Sequence, residues 1–155
     1  HELVRWSGLD QLPRGSRVLD VGCGIGGSAR ILARDYGLDV LGISISPGQI
    51  RRAQELTPDD LSCRFAVMDA LALDLPDQSF DAVWSVEAGP HMPDKQRYAD
   101  ELLRVLRQPL HRVGDAFLHS SARLPPSGAQ RCNSPRDCEC TAVCTKLFMD
   151  TWRLK

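Results

Sequence analysis

Four glycines, Gly22, Gly24, Gly26 and Gly27, fall within six positions, between the apolar run Val18, Leu19, Val21 and a second apolar series at helical spacing. A turn stripped of side chains in this way lets backbone amides approach a ligand with no Cβ in between. The helix that follows offers its first N–H groups to an anionic portion of that ligand. Asp20 stands two residues before the turn, where a carboxylate can fix the backbone or meet a cationic group. Further along, Asp69 and Glu87 each follow an apolar stretch, and His91 stands four residues after Glu87. The imidazole titrates near neutrality and suits proton transfer.

The glycine spacing fits two patterns. Gly22, Gly24 and Gly27 satisfy G-x-G-x-x-G, the dinucleotide-binding turn, while Gly22, Gly24 and Gly26 satisfy G-x-G-x-G. A nicotinamide site also calls for an acid at the end of the second strand, to hold ribose hydroxyls. That place reads Ile43-Ser44-Ile45-Ser46 and has no acid. A glycine-rich turn that binds nothing is the remaining reading of the spacing.

With its acid, V-L-D-V-G-C-G-x-G resembles motif I of the class I S-adenosylmethionine-dependent methyltransferases. "VLDVGCGIGGSARILA", "LGISISPGQ", "DLPDQSFDAVWSVEAGPHM" and "YADELLRVLR" together resemble the tocopherol C-methyltransferase family of cyanobacteria and plants, over about residues 1–107. Plant indole-alkaloid N-methyltransferases share these pieces. The resemblance implies S-adenosyl-L-methionine as cofactor and methyl transfer to a prenylated phenol or quinol such as γ-tocopherol. It implies that the Gly22, Gly24 and Gly26 backbone cradles the methionine and ribose portion, with Asp20 beside it. Ser44, Ile45 and Gln49 then contact the ribose in place of the usual acid, and Asp69 and Ala70 bind adenine. The competing reading of Asp69 is a plain helix cap or turn former.

Glu87 and His91 are the candidate catalytic pair. A phenol or hydroquinone becomes a carbon nucleophile when its hydroxyl loses a proton; His91 can take that proton, with Glu87 as orienter or second base. Against this, a histidine between Pro90 and Met92 can simply bond backbone in a loop. Trp84 and Met92 read as packing residues, and nothing in methyl transfer asks for a metal.

Elements that alternate along the chain must position these groups. The run at 17–21 reads as a doubly covered strand; Ala29, Leu32, Ala33 and Tyr36 then trace one helical face that Gly37 stops. "LDVLGIS" is a second strand. Ser46 reads as an N-cap with Pro47 at the first helical position and Gln49 reaching back as in a capping box. "CRFAVMDA" predicts a third strand ending at Asp69, and "FDAVWSVE" a fourth ending at Glu87. Tyr98, Leu102, Val105 and Leu106 form another helical face. The alternation predicts an α/β fold with a parallel sheet and the site at the carboxyl ends of its strands. The resemblance makes this a Rossmann-like sheet, incomplete after the fourth strand and its helix.

The net charge of −1 gives no global field favouring nucleic acid. No apolar run reaches bilayer length. Acidic side chains outnumber basic ones up to Arg107, and the balance reverses afterwards. We read 1–107 as the cofactor-binding core and 108–155 as an irregular tail, out of frame or disordered, with an isolated strand at "DAFLHS". Cys132, Cys138, Cys140 and Cys144 lack zinc-knuckle spacing and read as exposed thiols. We take the chain to be a fragment, cytoplasmic or peripheral to a membrane, with a small-molecule acceptor and no nucleic-acid partner. A non-catalytic S-adenosylmethionine-binding module, an N-methyltransferase of a small amine or alkaloid, and a nicotinamide-dependent oxidoreductase are the alternatives.

Overall fold

The computed structural model describes residues 1–107; the expectations for the tail, its cysteines and its strand lie outside the described residues. Helix α1 (Glu2–Ser7) is followed by a short 3-10 turn (Leu9–Gln11) and then by β1 (Arg17–Val21). Next come α2 (Gly27–Tyr36), β2 (Asp39–Ser44), α3 (Pro47–Glu55), β3 (Cys63–Val67), β4 (Ala82–Trp84) and α4 (Lys95–Val105). The sheet order is β3-β2-β1-β4, with every described pairing parallel. β1 therefore lies in the interior of the sheet and delivers the glycine turn to its carboxyl edge.

Side chains alternate across this sheet. Val18, Val40, Phe65, Ala82 and Trp84 meet Ala29, Leu32 and Ala33 of α2 and Ile50 and Ala53 of α3, together with Val4 and Leu9 of the N-terminal segment. Leu19, Val21, Ile43 and Val83 meet Tyr98, Leu102 and Val105 of α4 on the other face. The alternating strand positions and the helical spacings thus fill one core on each side of the sheet. Gly37 ends α2 in the left-handed conformation at φ 68°, returning N–H groups to Ala33 and Leu32.

Four local details differ from the sequence expectations. α1, six residues long, has no counterpart in them; it buries only Val4 and Ser7. β3 stops at Val67, because β2 ends at Ser44 and offers no partner beyond the Met68 N–H to Ser44 O bond of 3.0 Å. Asp69 is therefore a loop residue. β4 stops at Trp84: the next ladder acceptor, Val21 O, takes the Ser85 hydroxyl at 3.3 Å. Glu87 accordingly lies beyond the strand, in a left-handed conformation at φ 63°.

The fourth concerns Gln49. Ser46 caps α3 as expected, its hydroxyl accepting from Gln49 N at 3.4 Å. The Gln49 side chain does not return to the Ser46 N–H, which already donates to Ser44 Oγ at 3.2 Å. It accepts instead from the Ser44 hydroxyl at 2.7 Å.

Candidate functional site

The glycine turn distinguishes its two sequence patterns by conformation. Gly22, Gly24 and Gly26 adopt φ of 76°, 56° and 78°, whereas Gly27 already belongs to α2 and has no positive φ. A Cβ built on Gly27 meets nothing within 4 Å, so no close helix-to-strand contact demands glycine there. The structure therefore uses the G-x-G-x-G set.

These three glycines do different work. A Cβ on Gly22 would lie 2.7 Å from Ala88 Cβ, and one on Gly26 would lie 2.5 Å from the Phe65 ring. Packing and conformation both require glycine at these places. A Cβ on Gly24 meets nothing within 4 Å, although its φ still favours glycine. Open space beside a bare, left-handed backbone is what a ligand approaching the amides requires. The turn is tied to the end of β2, with Gly22 N and Cys23 N both donating to Ile43 O at 3.0 Å. Gly26, the N-cap of α2, carries no capping side chain, which leaves the head of this ten-residue helix to other acceptors.

Asp20 is 2 % exposed on β1. The Ala29 backbone N–H donates to its carboxylate, yet burial outweighs that bond and raises its pKa from 3.8 to about 7. Its Oδ2 has no hydrogen-bond partner. Asp20 thus holds the first turn of α2, and a buried carboxylate oxygen directly beneath the glycine turn stays unengaged.

At the end of β2, Ser44 is buried while Ile45 is 73 % exposed at the carboxyl edge. The Ser44 hydroxyl donates a hydrogen bond to Gln49 Oε1, which leaves the Gln49 amide N–H groups for a ligand. Asp69 Oδ1 accepts from Leu71 N at 2.8 Å, and its own carbonyl accepts from Ala72 N at 3.1 Å. The turn-former role is thus real, and among the described residues Oδ2 of Asp69 remains without a partner. Ala70 is buried in the α4-side core, so only its backbone is available to a ligand.

Glu87 and His91 are both exposed and lie past β4 on the same edge as the glycine turn. The His91 backbone N–H donates to Ala88 O at 3.1 Å inside the 3-10 turn Gly89–His91. Among the described residues neither side chain has a hydrogen-bond or ion-pair partner. The loop itself is held from α4: Lys95 Nζ donates to the carbonyls of Gly89, Pro90 and Met92 at 3.3, 3.3 and 3.0 Å. Spacing does not reveal Lys95 as the residue that shapes this loop, because its three acceptors are backbone atoms.

A second support is the buried triad of Val21 O, the Ser85 hydroxyl and Tyr98. Ser85 Oγ donates to Val21 O and lies 2.7 Å from the Tyr98 hydroxyl, whose pKa burial pushes up to about 12. It joins α4 to the last residue of β1. Polar residues in apolar periodic runs were the sequence signal for it. The thiols of Cys23 and Cys63 are likewise raised to about 12 by burial, so neither is a nucleophile near neutrality. Among the described residues no group of three or more His, Cys, Asp or Glu is placed to hold a metal.

The family profile described as "Methyltransferase domain" matches residues 19–109. Over 107 residues the chain is 66 % identical to 2-methyl-6-phytyl-1,4-hydroquinone methyltransferase of Synechocystis, covering 69 % of this chain and 34 % of that protein. It is 43 % identical over 110 residues to the chloroplastic tocopherol O-methyltransferase of Arabidopsis thaliana, covering 67 % and 32 %. The chain thus spans about a third of the length of these relatives. Phosphoethanolamine N-methyltransferase 2 of Haemonchus contortus, solved in complex with S-adenosyl-L-methionine, superposes with a TM-score of 0.62 at 33 % identity. That superposition covers 68 % of this chain and 24 % of that one.

Proposed function

The chain belongs to the methyltransferase domain family, and from that premise we propose that it is the cofactor-binding part of an S-adenosyl-L-methionine-dependent enzyme that methylates a prenylated phenol or quinol. The observation that carries the donor is Gly24, a left-handed glycine facing open space at the carboxyl edge of the sheet. The acceptor class is supported by the 66 % identity to a phytyl-hydroquinone methyltransferase.

In this reading the backbone from Gly22 to Gly26 and the head of α2 hold the amino-acid and ribose portion of the donor. Asp20 keeps that backbone in place through the Ala29 N–H. The Gln49 amide N–H groups, turned outward by the bond from Ser44, reach the ribose, with exposed Ile45 against the nucleoside. The free oxygen of Asp69 and the backbone of Ala70 address adenine. When bound, S-adenosyl-L-methionine supplies a methyl group already activated by its sulfonium. The protein's task is then alignment and exclusion of water. His91 takes the proton from the acceptor hydroxyl, and Glu87 orients the imidazole or serves as second base. Because the acceptor is lipid-like, we place the reaction at a membrane surface. No helix among the described residues is long and apolar enough to cross one.

The test is transfer of labelled methyl from S-adenosyl-L-methionine to γ-tocopherol, a phytyl hydroquinone and a small amine in parallel. Label in the quinol or phenol supports the reading. Label in the amine alone moves the chain to the N-methylating branch.

A further inference from the structure

Three polar side-chain atoms among the described residues are buried without a hydrogen-bond partner: Asp10 Oδ1, Asp20 Oδ2 and Trp84 Nε1. Two of them are neighbours. Asp20 of β1 and Trp84 of β4 are register partners in a parallel pair, so their side chains leave the sheet side by side on one face. An indole N–H can only donate, and a carboxylate oxygen can only accept. Left apart, each carries the full desolvation cost of an unmet polar group. Asp10 is the poorer partner: it lies on the Leu9–Gln11 turn, outside the sheet, and its other oxygen already accepts from Gln11 Nε2.

We propose that Trp84 is a positioning residue for the glycine turn: its indole N–H, through one buried water, supplies the second hydrogen bond to the Asp20 carboxylate that holds the head of α2. A single water satisfies both atoms at once. The carboxylate then receives the Ala29 N–H on one side and the Trp84 bridge on the other. This joins β4, which leads to Glu87 and His91, to the turn that addresses the donor. The inference rests on the reading of that turn given above.

Asp20 is the only group of this cluster that titrates near neutrality. Cys23 from the turn, Cys63 from β3 and Tyr98 from α4 lie within its field, and all three stay protonated there. Arg30 of α2 lies in the field of Cys63, whose pKa its charge lowers.

The test is the indole resonance of Trp84 in the ¹⁵N-labelled chain, assigned by its disappearance in Trp84→Phe. Between pH 5 and 9 it should shift as Asp20 titrates, lose that shift in Asp20→Asn and keep it in Asp10→Asn. A flat resonance, a shift that survives Asp20→Asn, or one abolished by Asp10→Asn overturns the proposal. Calorimetry with S-adenosylhomocysteine gives the second readout. Trp84→Phe should bind about tenfold more weakly at pH 9, where Asp20 is ionised, the loss of a hydrogen bond to a charged group, and lose much less at pH 5, where the carboxyl is protonated. An equal loss at both pH values would mark Trp84 as packing only and overturn the proposal. If the wild-type chain binds no S-adenosylhomocysteine, the donor reading fails, whereas the indole titration still decides the Asp20–Trp84 pair.

Discussion

Ala88 packs against Gly22 so closely that a methyl group on the glycine would sit 2.7 Å from Ala88 Cβ. Ala88 follows Glu87 and precedes the 3-10 turn that carries His91. The loop bearing the candidate base is thus seated directly on the turn that would hold the donor. Gly22→Ala should destabilise the chain by about 1–3 kcal/mol, from left-handed strain and overpacking together. Adding Ala88→Gly should recover the packing share and leave the strain. Urea denaturation of the single and double variants measures both, and purely additive effects would show that the contact carries no energy.

Gly24 and Gly26 should separate binding from folding. Gly26→Val drives a branched side chain into the Phe65 ring and should unfold the chain. Gly24→Val meets open space, so its cost is confined to about 1–2 kcal/mol of left-handed strain. Its far-UV spectrum should match wild type while S-adenosylhomocysteine binding is lost. Micromolar affinity in Gly24→Val would return this turn to a purely structural role.

Asp20 makes stability depend on pH in a set direction. Burial raises its folded pKa from 3.8 to about 7, so the folded state binds the proton more tightly than the unfolded chain does. The associated stability is complete below pH 4 and is lost as pH rises through 7. Asp20→Asn removes that dependence. Its melting temperature relative to wild type should therefore be higher at pH 8 than at pH 4.5, by at least about 4 °C, the shift that about 1 kcal/mol produces in a domain of this size. A difference independent of pH would mean that Asp20 titrates normally.

Asp69 has two oxygens with two assigned roles. Asp69→Asn keeps an acceptor for the Leu71 N–H and should leave stability unchanged, whereas Asp69→Ala should cost about 1 kcal/mol of it. Donor affinity should fall in both, since in the proposed reading adenine is addressed by the oxygen that Leu71 does not use. Affinity unchanged in Asp69→Asn would leave Asp69 only its turn.

Much of this arrangement was legible because its causes are local. Ala29, Leu32 and Ala33 face the core as their spacing requires, Gly37 stops α2, and Ser46 caps α3 with Pro47 behind it. The glycine cluster marked the turn, but only backbone conformation separated Gly26 from Gly27. What escaped the sequence depends on partners far away in the chain. β4 ends early because Ser85 bonds Val21, 64 positions before it, and Lys95 shapes the His91 loop through carbonyls that any sequence would offer. Gln49 departs from the capping box because Ser44 already satisfies the Ser46 N–H. α1 buries too few residues to show a period.

The most direct test is which adenosine-containing cofactor the turn accepts. Titration calorimetry of the intact chain with S-adenosyl-L-methionine, S-adenosylhomocysteine and NAD decides it. Saturable one-to-one binding of the first two with no heat from NAD is the predicted result. Saturable binding of NAD, or no binding of either adenosyl compound by a folded chain, would contradict it.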